Sequence, residues 1–130
     1  MTSSPFSLSV NPTRFQLSVK QLSAACCRFE IQLIDPQAGE VLRGQVTGPH
    51  SDSTSVIQLA YPCQPHPHYP ERVEVIIPEP NFWEETTRLY YRAELEIWQH
   101  QQKTTQETLI LRLGRSGMIT GKPQQKKSEN

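Results

Sequence analysis

The sequence predicts an all-β fold in which two sheets pack face to face. Three observations point there. Apolar residues recur at every second position along most of the chain. Proline is frequent (11) and glycine modest (6), a mix that suits many short strands joined by turns better than helices. Third, Ile77-Pro78-Glu79-Pro80-Asn81-Phe82-Trp83-Glu84 is followed at once by Leu89-Tyr90-Tyr91. A strand there ends in two prolines, a bulky aromatic pair anchors a loop, and a tyrosine opens the next strand. A β-sandwich crosses from one sheet to the other in this way.

The elements follow in order. Phe6, Leu8 and Val10 alternate with Ser7 and Ser9 until Asn11-Pro12-Thr13 breaks the run, and Phe15, Leu17 and Val19 resume it. From Cys27 to Asp35 the alternation is cleanest, with Phe29, Ile31 and Leu33 inward and Arg28, Glu30 and Gln32 outward. Asp35-Pro36-Gln37-Ala38-Gly39 is a turn. Leu42, Gly44 and Val46 continue the inward pattern up to Gly48-Pro49, and Ile57, Leu59 and Tyr61 carry it again. Between Tyr61 and Pro70 stand Pro62, Pro65, Pro67 and Pro70, which exclude a central strand and predict a stiff surface loop. Val73, Val75 and Ile77 form the next strand. After the crossing, Tyr91, Ala93, Leu95 and Ile97 alternate with Arg92, Glu94, Glu96 and Trp98; Leu109, Leu111 and Leu113 finish the set, and Gly114 closes it. The expectation is an immunoglobulin-like β-sandwich of about seven strands, its first strand split, over residues 1–114. Residues 115–130 lack apolar alternation and carry Lys122, Lys126 and Lys127, so a flexible polar tail is expected there.

Length and composition narrow the function classes. A chain of 130 residues suits one domain with a real core. The formal net charge of +0 gives no electrostatic reason to expect nucleic acid or an anionic membrane as a partner. The N-terminus, Met1-Thr2-Ser3-Ser4-Pro5-Phe6, has neither the basic start nor the apolar core of a signal peptide, and no run approaches transmembrane length. Cys26, Cys27 and Cys63 make an odd count, poor material for a disulfide framework, and reduced thiols in a cytoplasmic protein are expected. A Cys63 bridge to Cys26 or Cys27 is the less favoured alternative.

The residues from Val73 to Gly114 resemble the immunoglobulin-like β-sandwich domain of family 2 glycoside hydrolases, the β-galactosidase, β-glucuronidase and β-mannosidase relatives. In that family a strand runs into a proline-containing loop with a Leu-Trp pair, a Pro-Glu-x-Pro-x-Leu-Tyr segment opens a long strand, and a final strand ends in Phe-Gly. Ile77-Pro78-Glu79-Pro80-Asn81-Phe82-Trp83 matches the first part with Phe82 in place of Leu. Glu84-Glu85-Thr86-Thr87-Arg88-Leu89-Tyr90 matches the second without its two prolines, and Leu111-Arg112-Leu113-Gly114 matches the close with Leu113 for Phe. Beyond it, Gly117-Met118-Ile119-Thr120-Gly121-Lys122-Pro123 is similar to the Asn-Gly-Lys-Pro segment that leads into the family's barrel, with Thr120 for Asn. The resemblance implies a non-catalytic domain. In the hydrolases it joins a sugar-binding jelly roll to a TIM barrel, and both catalytic glutamates lie in the barrel.

Each matched residue also has a physical reason to be there. Pro78 and Pro80 stop sheet pairing and fix an extended path. Phe82 and Trp83 offer bulk for the end of the core, Trp83 as its cap. Tyr90 is the expected corner tyrosine, bonding its hydroxyl back to the crossing loop.

Elsewhere the chemistry is sparse. Cys63, His66 and His68 are the only soft-ligand cluster, with His50 or His100 as distant fourth ligands; zinc needs three or four converging ligands, and the alternating prolines hold these apart, so no metal and no cofactor are expected. Glu79, Glu84 and Glu85 beside Trp83 evoke a glycosidase cleft, but paired catalytic carboxylates need a rigid scaffold and these sit on a loop. No catalytic residue is therefore expected. Trp98 lies on an otherwise polar strand face with Arg92, Glu94 and Glu96, which marks a candidate surface for another protein or domain. The leading expectation is a non-catalytic module with a structural or protein-interaction role. Its alternatives are a subunit of a split glycoside hydrolase acting on β-glycosides with a separate catalytic chain, and an unrelated adhesin or chaperone-like sandwich.

Overall fold

The computed structural model describes residues 14–123. They form nine strands: β1 (Phe15–Leu22), β2 (Cys26–Leu33), β3 (Glu40–Ser51), β4 (Leu59–Pro62), β5 (Gln64–Pro65), β6 (Arg72–Pro78), β7 (Leu89–Gln99), β8 (Gln102–Gly114) and β9 (Gly117–Gly121). One sheet has the order β1-β2-β6-β5 and the other β4-β3-β7-β8-β9, with every pairing antiparallel. The fold is a β-sandwich.

The alternation seen in the sequence is what closes it. In the first sheet the register sets Cys27 beside Ile77, Phe29 beside Val75 and Ile31 beside Val73. In the second, Leu42 faces Ile97, Val46 faces Ala93, and Tyr91 faces Leu111. All of these are buried, and together with Leu95, Leu109 and Leu113 they fill one core. A one-residue slip of any central strand would turn its apolar set outward, so burial fixes the register. Each fully buried side chain of this size contributes about 1.5–3 kcal/mol, most of it offset by the entropy of ordering the chain.

A charged pair ties the two layers at one end. Glu40, the first residue of β3, is 7% exposed. Its carboxylate accepts both Nη1 and Nη2 of Arg14 at 2.9 Å, and the Gln37 N–H at 2.9 Å. The Arg14 guanidinium also donates to the carbonyls of Ile34 and Asp35. A buried carboxylate is tolerated when its charge and lone pairs are met in this way. The hydrogen bond from Arg14 holds the Glu40 carboxyl below its ordinary range, against the opposing pull of burial.

Several boundaries differ from the sequence expectation. Residues 115–123 do not begin a tail: β9 pairs with β8 from Gly117 opposite Gly114 to Gly121 opposite Ile110. The two-residue turn Arg115-Ser116 makes this possible, returning the chain along β8. β3 does not stop at Gly48-Pro49 but runs to Ser51, absorbing the proline in a register shift between Thr47 and His50. Ile57 precedes β4 and is 85% exposed, and Leu59 is also exposed, so of the three apolar positions there only Tyr61 reaches the core. The proline-rich loop supplies two edge strands, β4 and β5, one for each sheet. The alternating run Phe6, Leu8 and Val10 and the residues after Pro123 lie outside the described residues.

Candidate functional surfaces

Two places carried functional expectations: the corner between β6 and β7, and the outer face of β7. At the corner the pin is Tyr91, not Tyr90. Counting inward from Ala93 puts Tyr91 on the core side, where it is 1% exposed. Its hydroxyl reaches the crossing loop and accepts the Asn81 N–H at 2.9 Å and the Asn81 Nδ2 at 3.3 Å. Tyr90 points the other way. Its ring stacks on His50 with centroids 5.5 Å apart, and its hydroxyl donates to Asp52 at 3.5 Å. An outward tyrosine cannot reach back over the core edge, which is why the pinning role falls to its neighbour.

Pro78 and Pro80 bracket the exit from β6 as expected, with Glu79 between them at a φ of 48° and its N–H bonded to the Ala25 carbonyl. Phe82 packs against the core and closes its end. Trp83 does not cap the core. Its N–H bonds to the Leu113 carbonyl at 2.8 Å, which holds this stretch beside the end of β8. Its ring lies under the guanidinium of Arg112, 4.0 Å from centroid to Cζ, with Arg88 at 5.5 Å. Arg112 is an outward position of β8, between inward Leu111 and Leu113, so the indole is recruited to the outer face by a cation–π contact. Its Nε1 donates to Glu85 at 3.4 Å. Glu79, Glu84 and Glu85 are all exposed.

The outer face of β7 is arranged as the alternation implied. The register places Trp98 beside Val41, Glu96 beside Arg43, Glu94 beside Gln45 and Arg92 beside Thr47. Trp98 donates its Nε1–H to Glu96 at 2.8 Å and takes the Arg43 guanidinium over its ring at 5.0 Å. Glu96 lies 3.8 Å from the Lys103 ammonium, and Glu94 accepts from Gln45 at 3.3 Å. The face is a mesh of alternating charges with one indole inside it. At its far end His50 bonds Thr47 at 2.9 Å, and burial, helped by Arg92, lowers its pKa from the ordinary histidine value.

The cysteine–histidine group does not converge. Cys63 packs against the core, and burial pushes its thiol up to about 12. His66 uses Nδ1 to accept the N–H groups of His68 and Tyr69, closing the turn before β6. His50 sits on β3 and His100 in the β7–β8 turn. Among the described residues no three His, Cys, Asp or Glu side chains are placed to hold a metal ion. All three cysteines are free, Cys27 lying in the core with its thiol pushed up to about 11 by burial and by Cys26.

Sequence reasoning missed Asn81 as the corner donor and the arginines on both indoles, because each depends on which strands become neighbours. The side on which Tyr91 falls was readable from the period of two. Comparison with protein-family models gives no match, and none of the curated proteins searched is similar to the chain. Among the described residues no helix is long and apolar enough to cross a membrane.

Proposed function

We propose that this chain is a non-catalytic, immunoglobulin-like β-sandwich module with a structural or protein-interaction role. The observation that carries the reading is the strand order together with its corner. Taking the strands as A, B, C, C′, D, E, F and G in chain order for β1 to β8, the sheets read A-B-E-D and C′-C-F-G, with β9 added beyond G. The order of the first eight strands supports an immunoglobulin-like reading, in which a tyrosine near the start of strand F bonding back to the E–F loop is the recurrent corner. Tyr91 and Asn81 supply that bond. The likeness of Val73 to Gly114 to the linker domain of family 2 glycoside hydrolases agrees with this arrangement and is part of the proposal. The carboxylates beside Trp83 are exposed on a loop rather than fixed on a rigid scaffold, which favours a module over an enzyme.

The partner surface in this reading is the outer face of β7, where Trp98 is embedded among Arg92, Glu94 and Glu96. The balanced charge disfavours nucleic acid and membranes as partners, and the free thiols suit the cytoplasm. The test is Trp98→Ser, read by thermal melting and by affinity capture from the native cell. A lost partner with little change in melting supports the surface. Unchanged melting and unchanged capture remove it, and hydrolysis of aryl β-glycosides by the isolated chain overturns the non-catalytic reading.

A further inference from the structure

A sandwich must protect the outermost strands of its sheets, because their unpaired N–H and C=O groups invite another strand. Three of the four outermost strands here are protected. β1 carries a register shift between Val19 and Gln21 and an exposed Lys20. β4 has four residues and ends in Pro62; β5 has two and ends in Pro65. A bulge, an edge lysine and edge prolines are the usual devices for blocking strand addition.

β9 has none of them. It reads Gly-Met-Ile-Thr-Gly, without a proline or a charge. It pairs with β8 on one side and is the last strand of its sheet among the described residues. Every second backbone N–H and C=O along it therefore points away from β8, on the side where β1 of the other sheet comes near without pairing. Met118 packs against the core, and Ile119 is 48% exposed on the outer face beside Arg112. The edge thus offers a backbone ladder with an apolar contact on each face, the combination that recognises an added strand.

Charge selects the occupant. Arg115 lies in the turn before β9, Lys122 directly follows it, and Arg112 is the cross-strand neighbour of Ile119. Two anions stand near these three cations: Glu107, 3.8 Å from Lys122, and Glu85, bonded to the indole that Arg112 covers. A second copy paired antiparallel about Ile119 would bring Arg115 of each copy toward Lys122 of the other, which like charges oppose. We infer that the open edge of β9 takes up an extended, acidic strand of a partner protein, adding it as a further strand of the five-stranded sheet. This surface is separate from the Trp98 face, so the two readings fail independently.

The full chain is titrated with a short synthetic peptide of alternating Glu and Val, and with its Lys–Val counterpart. Hydrogen exchange is read along the backbone. The expected result is binding of the Glu–Val peptide, new amide protection at Gly117–Gly121, and affinity that falls as salt is raised. Ile119→Glu weakens it by at least about tenfold, and Arg115→Glu, an exposed turn position, shifts the preference toward the Lys–Val peptide. Trp98→Ser leaves peptide binding unchanged. Equal binding of both peptides, protection on β1 or β4 instead of β9, or unchanged affinity in Ile119→Glu overturns the inference. So does a dimer protected at β9, which makes a second copy the occupant, or binding that appears only after residues 1–13 are deleted, which assigns the edge to the chain's own N-terminus.

Discussion

Two of the three proline-bearing crossings between the sheets, β4 to β5 and β6 to β7, are held in opposite ways. From β4 to β5 the chain has one residue, Cys63, between Pro62 and Gln64. From β6 to β7 it has residues 79–88. The short crossing has almost no freedom left to restrain. A half-buried thiol packed against the core and one bond, Cys63 N–H to the Gly44 carbonyl at 3.0 Å, are enough. The long crossing must offset far more loop entropy. It is pinned at Asn81 by Tyr91, at Trp83 by the Leu113 carbonyl, and at Glu79 by the Ala25 carbonyl. Shape secures the first and hydrogen bonding the second.

The short crossing bonds to Gly44 of β3, and the largest expected effect comes from filling that glycine. A Cβ on Gly44 runs into the Glu94 carbonyl oxygen and lies 3.1 Å from the Leu95 Cα, backbone atoms that cannot step aside. Gly44→Val should cost about 3 kcal/mol or more, read as a lowered urea midpoint. A midpoint within error of the parent would show that β3 and β7 do not approach as closely at Gly44 as the packing implies.

Next comes the pin of the long crossing. Tyr91→Phe keeps the ring and leaves the part-buried Asn81 N–H without its acceptor, so about 1–3 kcal/mol should be lost. Tyr90→Phe, whose hydroxyl meets Asp52 in an exposed 3.5 Å contact and interacts with Arg92 on the outer face, should change stability by less than about 0.5 kcal/mol. Equal losses from the two would erase the distinction between an inward and an outward tyrosine.

A third effect distinguishes the crossings by pH. The Cys63 thiol is raised from an ordinary value of 9.0 to about 12, so the folded state keeps a proton that the unfolded chain releases. That contribution is full below pH 9 and is lost as pH rises toward 12. Cys27 acts in the same direction up to about 11. Alkaline unfolding should therefore be shallower in Cys63→Ala than in the parent. In acid the sign reverses. Glu40, held low by Arg14, contributes above its unfolded pKa and is lost as pH falls through the folded one, so Glu40→Gln should flatten the acid limb.

These contrasts also show what could be read from the sequence. The sandwich was legible because Phe29, Ile31, Leu33, Ala93, Leu95 and Ile97 state a period of two that only a half-buried strand satisfies. β9 was not, because five residues flanked by glycines have no period to show; it becomes a strand by pairing with β8 across Arg115-Ser116. The contact surfaces were legible in part. Trp98 falls with Arg92, Glu94 and Glu96 as the alternation requires. Trp83 leaves the core for Arg112, a neighbour some thirty residues away that local pattern cannot supply. Glu40 reads as an ordinary exposed acid until Arg14 is brought across from the other sheet.

Cys27 has one more use, which follows from where its sulfur sits. It is 0% exposed within the core, while its chain neighbour Cys26 is only half-covered. An alkylating reagent can reach Cys27 only when the layers part around it. The ratio of the two labelling rates is therefore an intrinsic clock for how often the native sandwich breathes, with no probe added to the chain.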